Sequence, residues 1–359
     1  MFQPGFYGDH MTHIKLVFLG TLLSFHGLMA HGVAKQTSTC PIAIARYIWD
    51  DAKCKELDNL PNNLSGKHKE ITRKIPVQIW YPANIRDLAK LPVILFSHGI
   101  RENITSNSAQ CENLARHGYV VVSVGHPSTN RSVKLGKHKV VRSCVAQEKV
   151  DWDSETEIWL RDVNVVLENL ISLNMHDKHD RFYKKLDLER IGIFGFSLGG
   201  GLATQMCHDR RIKACVNLDG GLFARDTPVG VTKPFMYMTG RAYKNNKHKH
   251  WSEQYIVSFK SFLRACKNDT YLVCIDGADH ASFCDRSLLR ANSMSWMRKL
   301  YECVKNWCWG TRVIDAHKAN EIINFYIVNF FDIYLKGERR SLIDFNRNKY
   351  SEVAWEKMA

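Results

Sequence analysis

The segment Gly195-Phe196-Ser197-Leu198-Gly199-Gly200-Gly201 directly follows the apolar run Ile191-Gly192-Ile193-Phe194 and leads into a helix-forming stretch. Few short sequences restrict a fold as strongly. A G-x-S-x-G turn between a strand and a helix reverses so sharply that its serine takes a strained backbone conformation, and glycines are needed at 195 and 199 because a Cβ there would collide with neighbouring elements. The turn therefore demands a buried strand before it and a helix packed on the same sheet after it. It also leaves Ser197 Oγ exposed at a helix N-terminus, where the dipole favours negative charge.

The rest of the chain supplies such a sheet. Residues 75–81 roughly alternate and end at Pro82, as a half-buried strand does. Val93-Ile94-Leu95-Phe96 and Tyr119-Val120-Val121-Val122-Ser123-Val124 are continuous apolar runs, suited to strands buried on both faces, with a helix predicted over 107–117 between them. Alternation continues with a helix over 155–173, strands at 191–194, 212–218, 234–238 and 271–275, and helices from 198, over 252–265 and over 319–336. Such trading of strand and helix predicts an α/β fold: a mostly parallel central sheet with helices on both faces, whose reactive groups lie beyond the carboxyl ends of the strands.

A serine hydroxyl becomes a useful nucleophile when a histidine takes its proton and a carboxylate fixes that histidine's tautomer. In this kind of site the chain order is Ser, then Asp or Glu, then His. His280 follows the strand at 271–275 through Asp276-Gly277-Ala278-Asp279, whereas His208, His248, His250 and His317 lie in helical or basic contexts away from a strand end. For the acid, Asp219 follows the strand at 212–218 and precedes Gly220-Gly221. The next strand end, Met238-Thr239-Gly240-Arg241, carries no carboxylate; Asp276, Asp279 and Asp226 stand in reserve. The expected oxyanion donors are the backbone N–H groups of Leu198 and of Ile100, the latter in Ser97-His98-Gly99-Ile100 after the strand at 93–96. His98 precedes the nucleophile, which suits an orienting or core role better than that of base. The cluster His176-Asp177-Lys178-His179-Asp180 reads as a solvated loop, and no metal or other cofactor is expected.

At the N-terminus, Leu16 to Ala30 is an apolar run of about 15 residues ending in small residues, short of the roughly 20 of a spanning helix. It reads as a secretory signal over 1–34, which makes the protein secreted or periplasmic; a retained membrane anchor is the alternative. Domain organisation is then an N-terminal extension over 35–70, one catalytic domain over 71–340 and a C-terminal tail over 341–359. All 11 cysteines follow the signal, so an oxidising compartment should pair some of them, Cys303 with Cys308 being near enough in sequence. The formal charge of +14 is compatible with peripheral contact with an anionic lipid surface. Its basic residues are scattered, however, and no nucleic-acid motif accompanies them, so no nucleic-acid partner is expected.

Taken with their order, these segments resemble the plasma-type platelet-activating factor acetylhydrolases and neighbouring predicted dienelactone hydrolase esterases, over about 71–336. The likeness rests on 77–82, 91–99, 186–200 and Asn217-Leu218-Asp219-Gly220. It implies the α/β-hydrolase fold, with the acid one strand earlier than in most members, as at Asp219. The family usually has His where Phe196 stands. The implied substrate is a carboxylic ester with a short or oxidised acyl chain, including the sn-2 acetyl ester of a phospholipid, cleaved without calcium. A general carboxylesterase or polyester hydrolase, and an inactive binding protein on the same fold, are the alternatives.

Overall fold

The apolar runs become strands because each can satisfy its backbone only beside another strand. In chain order the strands are β1 (Ile42–Leu57), β2 (Glu70–Pro82), β3 (Leu91–Ser97), β4 (Val120–Val124), β5 (Val133–Leu135), β6 (Lys139–Val141), β7 (Leu186–Phe196), β8 (Ile212–Leu218), β9 (Phe235–Gly240), β10 (Thr270–Ile275) and β11 (Val353–Lys357). The helices are α1 (Ser108–Arg116), α2 (Trp152–Met175), α3 (Leu198–Met206), α4 (Glu253–Ala265), α5 (Asp285–Ser293) and α6 (Ala316–Phe331). This computed structural model describes residues 40–57, 70–127, 133–135, 139–141, 152–176, 178–222, 229–240, 253–295, 297, 313–339 and 349–358. The expected signal over 1–34 and the Cys303–Cys308 pair lie outside the described residues.

Nine strands form one sheet in the order β1-β2-β4-β3-β7-β8-β9-β10-β11, and β5 pairs with β6 apart from it. From β4 through β10 the neighbours are parallel, while β1–β2, β2–β4 and β10–β11 are antiparallel. This is the α/β-hydrolase arrangement expected. Side chains alternate between two core layers, as the two-residue period of a strand requires. In β3, Val93 and Leu95 join α2, α3 and α4 on one face, and Ile94 and Phe96 join α1 and α6 on the other.

Two segments expected to flank the catalytic domain contribute to its sheet. β1, within 35–70, pairs antiparallel with β2 from Ile42↔Pro82 to Leu57↔Glu70, and β11, within 341–359, pairs with β10. Both are edge strands of mixed polar and apolar sequence, held by backbone pairing and by alternate side chains such as Tyr47, Trp49, Val353 and Trp355 packed against the core, without the continuous apolar run of the central strands. All described residues belong to one unit, Cys40–Ala359. Among them, no helix is long and apolar enough to cross a membrane.

Candidate active site

Ser197 joins β7 to α3 with φ 56° and ψ −121°, a conformation that side chains other than glycine seldom adopt. The turn is closed by neighbours that leave no space for a methyl group. A Cβ on Gly195 would lie 1.9 Å from the Gly199 carbonyl oxygen, and one on Gly199 would lie 2.1 Å from that of Ser97. The Ser197 N–H donates to the Leu218 carbonyl at 3.0 Å, which ties the elbow to the end of β8.

From that same strand end Asp219 extends, also at positive φ (51°), with its N–H donating to Met238 O at 2.8 Å. His280 Nδ1 lies 2.7 Å from Asp219 Oδ2, and His280 Nε2 lies 3.0 Å from Ser197 Oγ. An ionised carboxylate only accepts, so Nδ1–H donates to Asp219 and Nε2 is free to accept the Ser197 proton. The histidine side chain is 46% exposed and the aspartate 7%. Asp219 is thus sheltered, whereas the His280 ring is open to solvent. His280 opens a short 3₁₀ turn (His280–Phe283), held by a capping box in which Asp279 accepts from the Ser282 N–H and the Ser282 hydroxyl accepts from the Asp279 N–H. Phe196, buried at the position where the resemblance leads one to expect His, packs its ring 4.7 Å from the His280 ring, so an apolar side chain supports the imidazole.

The loop that carries Ile100, the expected second oxyanion donor, also comes close to Ser197. A Cβ on Gly99 would stand 3.1 Å from Ser197 Cβ, so the loop after β3 runs against Ser197. Gly99 O accepts from Glu102 N–H at 3.1 Å across a turn in which Arg101 has φ 58°. Leu198 is the first residue of α3, where backbone N–H groups have no intrahelical acceptor. Among the described residues four non-glycine side chains have positive φ, and three of them, Arg101, Ser197 and Asp219, lie here. Backbone strain gathered at one place is characteristic of functional sites.

It is Asp219, not a reserve carboxylate, that His280 Nδ1 faces. Asp279 serves its capping box, the Asp276 N–H donates to Glu352 O, and Asp226 lies outside the described residues. Of the other histidines, His317 is exposed at the start of α6, and His248 and His250 lie outside the described residues. Asp180 accepts from Tyr47 Oη and from the Phe182 N–H, which gives its loop a structural task, and no group of three metal-ligating side chains gathers among the described residues. The suggested partners Cys303 and Cys308 lie outside the described residues, and Cys111, Cys207, Cys215, Cys266 and Cys284 are buried thiols in this structure. They sit as small apolar side chains in the two core layers.

Two participants went unnoticed in the sequence. Thr239, at the strand end that lacks a carboxylate, donates its hydroxyl to Asp219 Oδ1 at 2.6 Å and so orients that carboxylate. A hydroxyl at a strand end beside the catalytic edge was the available signal. Asp285, just past the His280 turn, accepts from the Ser108 and Ala109 N–H groups at 2.8 and 3.3 Å and so caps α1 from another part of the chain, while the α1 N-cap Asn107 makes no capping bond of its own. No local pattern announces a cap supplied from 177 residues away.

The family model for platelet-activating factor acetylhydrolase, isoform II, matches residues 68–165. A probable 1-alkyl-2-acetylglycerophosphocholine esterase of Arthroderma benhamiae is 24% identical over 278 residues, 74% of this chain and 66% of that protein. The platelet-activating factor acetylhydrolase of Cavia porcellus is 22% identical over 272 residues, 68% of this chain and 58% of that protein. The chain therefore spans about two thirds or less of the length of these curated relatives. Among solved structures, a ferulic acid esterase from Streptomyces cinnamoneus superposes with a TM-score of 0.68 at 19% identity, covering 91% of this chain and 98% of that one. In fold the chain is an α/β-hydrolase, and in sequence it is similar to the isoform II platelet-activating factor acetylhydrolases.

Proposed function

We propose that this protein is an exported serine esterase that cleaves carboxylic esters with short acyl chains, among them the sn-2 acetyl ester of phospholipids of the platelet-activating factor type. The observation that carries the reading is the unbroken hydrogen-bonded line Ser197–His280–Asp219 at the mouth of a strained strand-to-helix elbow. His280 Nε2 takes the Ser197 proton as Oγ attacks the ester carbonyl carbon. The oxyanion that forms points at the N–H groups of Leu198 and Ile100, and Asp219 stabilises the imidazolium. Collapse expels the alcohol, which takes its proton from His280, and leaves an acyl group on Ser197. Water, deprotonated by the same histidine, then releases the carboxylic acid. The names of the two curated relatives support the ester class, and the apolar run Leu16 to Ala30, read as a secretory signal, supports export.

Ser197→Ala tests the reading. It removes the nucleophile and almost no buried surface, so the variant should fold, lose turnover of a short-chain chromogenic ester and lose covalent labelling by an organophosphate. A variant that still turns over at near wild-type rate would place the nucleophile elsewhere.

A further inference from the structure

Behind the loop after β3 lies a second Ser–His–Asp line. Ser97 Oγ is 2.9 Å from His126 Nε2, and His126 Nδ1 is 3.0 Å from Asp162 Oδ2. Arg73 grips both Asp162 oxygens, at 2.8 and 2.9 Å. All four side chains are essentially without solvent contact, so no substrate reaches Ser97 and the line cannot act as a nucleophile. Its place in the fold suggests a different task. Ser97 ends β3, and its carbonyl is the surface against which Gly199 of the elbow is pressed. His126 is stacked on Trp159 of α2, with ring centroids 3.9 Å apart and planes 5° off parallel, and the Trp159 ring also meets the edge of His98.

His98 completes the connection. Its Nε2 faces the His126 backbone N–H at 3.3 Å, and its Nδ1 faces the Gly99 carbonyl oxygen at 2.8 Å. Backbone groups have fixed polarity: the N–H can only donate and the carbonyl can only accept. His98 must therefore be neutral, with its proton on Nδ1. An added proton on Nε2 would confront the His126 N–H, and burial besides pushes the His98 pKa down to about 3. The carbonyl that His98 holds belongs to the same planar peptide as the Ile100 N–H, and in a trans peptide the two point in opposite directions.

We infer that His98 is a positioning residue: by fixing the Gly99 carbonyl it aims the Ile100 N–H at the oxyanion, and the buried Arg73–Asp162–His126 line holds His98 in place from behind. The inference rests on the esterase reading above. Its gain is preorganisation, because a donor already held in direction needs no rearrangement as charge develops.

Two conservative variants separate this role from a merely structural one. The amide nitrogen of His98→Asn reaches the Nδ1 position and still donates to Gly99 O, whereas His98→Gln can accept from the His126 N–H but leaves Gly99 O without its side-chain donor. On a short-chain ester, His98→Gln should lower kcat by on the order of 10²- to 10³-fold, as loss of an oxyanion donor does, with KM little changed. His98→Asn should stay within roughly tenfold of wild type, and a trifluoromethyl ketone, which forms an oxyanion on the serine, should lose affinity for His98→Gln in parallel with kcat. Equal loss in both variants, or a rise in KM without a fall in kcat, overturns the proposal. Imidazole ¹⁵N NMR of the wild-type protein gives a readout independent of turnover: His98 should be neutral and Nδ1-protonated into the acid range, and an Nε2-protonated ring would sink the inference whatever the kinetics. A wild-type protein that neither cleaves esters nor takes an organophosphate label fails instead at the esterase reading, and the oxyanion role of Ile100 falls with it.

Discussion

Asp219 divides its two oxygens between His280 and Thr239, so its orientation is set before any substrate arrives. Asp219→Asn keeps the shape but presents an amide to His280 Nδ1, which disfavours the working tautomer; kcat should fall by on the order of 10⁴. Asp279→Asn disturbs only the capping box and should cost far less. A large loss at Asp279 with Asp219 nearly silent, measured on the same ester, would move the acid into the histidine turn. Thr239→Val is nearly isosteric and removes one hydrogen bond to a charged group, about 1.5 kcal/mol, which is roughly tenfold in rate if fully expressed in the transition state. Steady-state kcat for this variant should therefore fall between those of wild type and Asp219→Asn, and an unchanged value would mean that His280 alone orients the acid.

At the scale of elements, the turn bearing His280 is tied to the α1 end of the loop after β3. The Asp285 N–H donates to Ser106 O at 2.8 Å, Asn107 Nδ2 donates to Phe283 O at 2.7 Å, and the Asp285 carboxylate caps α1. Burial is the main cause that raises the Asp285 pKa from 3.8 to about 6. A carboxyl with a raised folded-state pKa holds its proton more tightly in the folded chain than in the unfolded one. Its contribution is most favourable below about 4 and is progressively lost as pH rises to about 6. Asp285→Asn keeps an acceptor for α1 without the charge. Urea midpoints collected between pH 4 and 7 should fall less steeply with pH in this variant than in wild type; parallel curves would show that Asp285 does not set the slope.

For the whole molecule the open question is substrate size. By their place after strand ends, 101–112, 128–150 and the loop after Asp219 carrying Leu222 and Phe223 are the candidates to rim the site. The first is described, and in the third Leu222 packs against the core. Phe223 and most of 128–150 lie outside the described residues. In sequence, 128–150 is basic rather than apolar, which suits a phosphate headgroup and does not supply a long apolar channel. Rates across acyl chains of two to sixteen carbons, on simple esters and on phospholipids, should fall steeply beyond a few carbons. Comparable rates on acetyl and palmitoyl esters would point to an open apolar groove instead.

The local rules that sequence obeys were enough for the elbow, because a G-x-S-x-G turn between strand and helix has few conformations open to it, and for the central strands, because burial on both faces demands continuous apolar runs such as 93–96 and 119–124. Chain order and strand ends also singled out Asp219 and His280, which the fold brings into one line with Ser197. What sequence left unwritten is everything held by partners far apart in the chain. The edge strands β1 and β11 are fixed by backbone pairing and by partly buried side chains, without the continuous apolar runs that mark the central strands. Thr239, Asp285 and the buried Arg73–Asp162–His126 line each acquire a role only when another element arrives beside them. A hydrogen bond has a reach of about 3 Å and no dependence on sequence separation, so only the tertiary structure could decide which polar side chains meet.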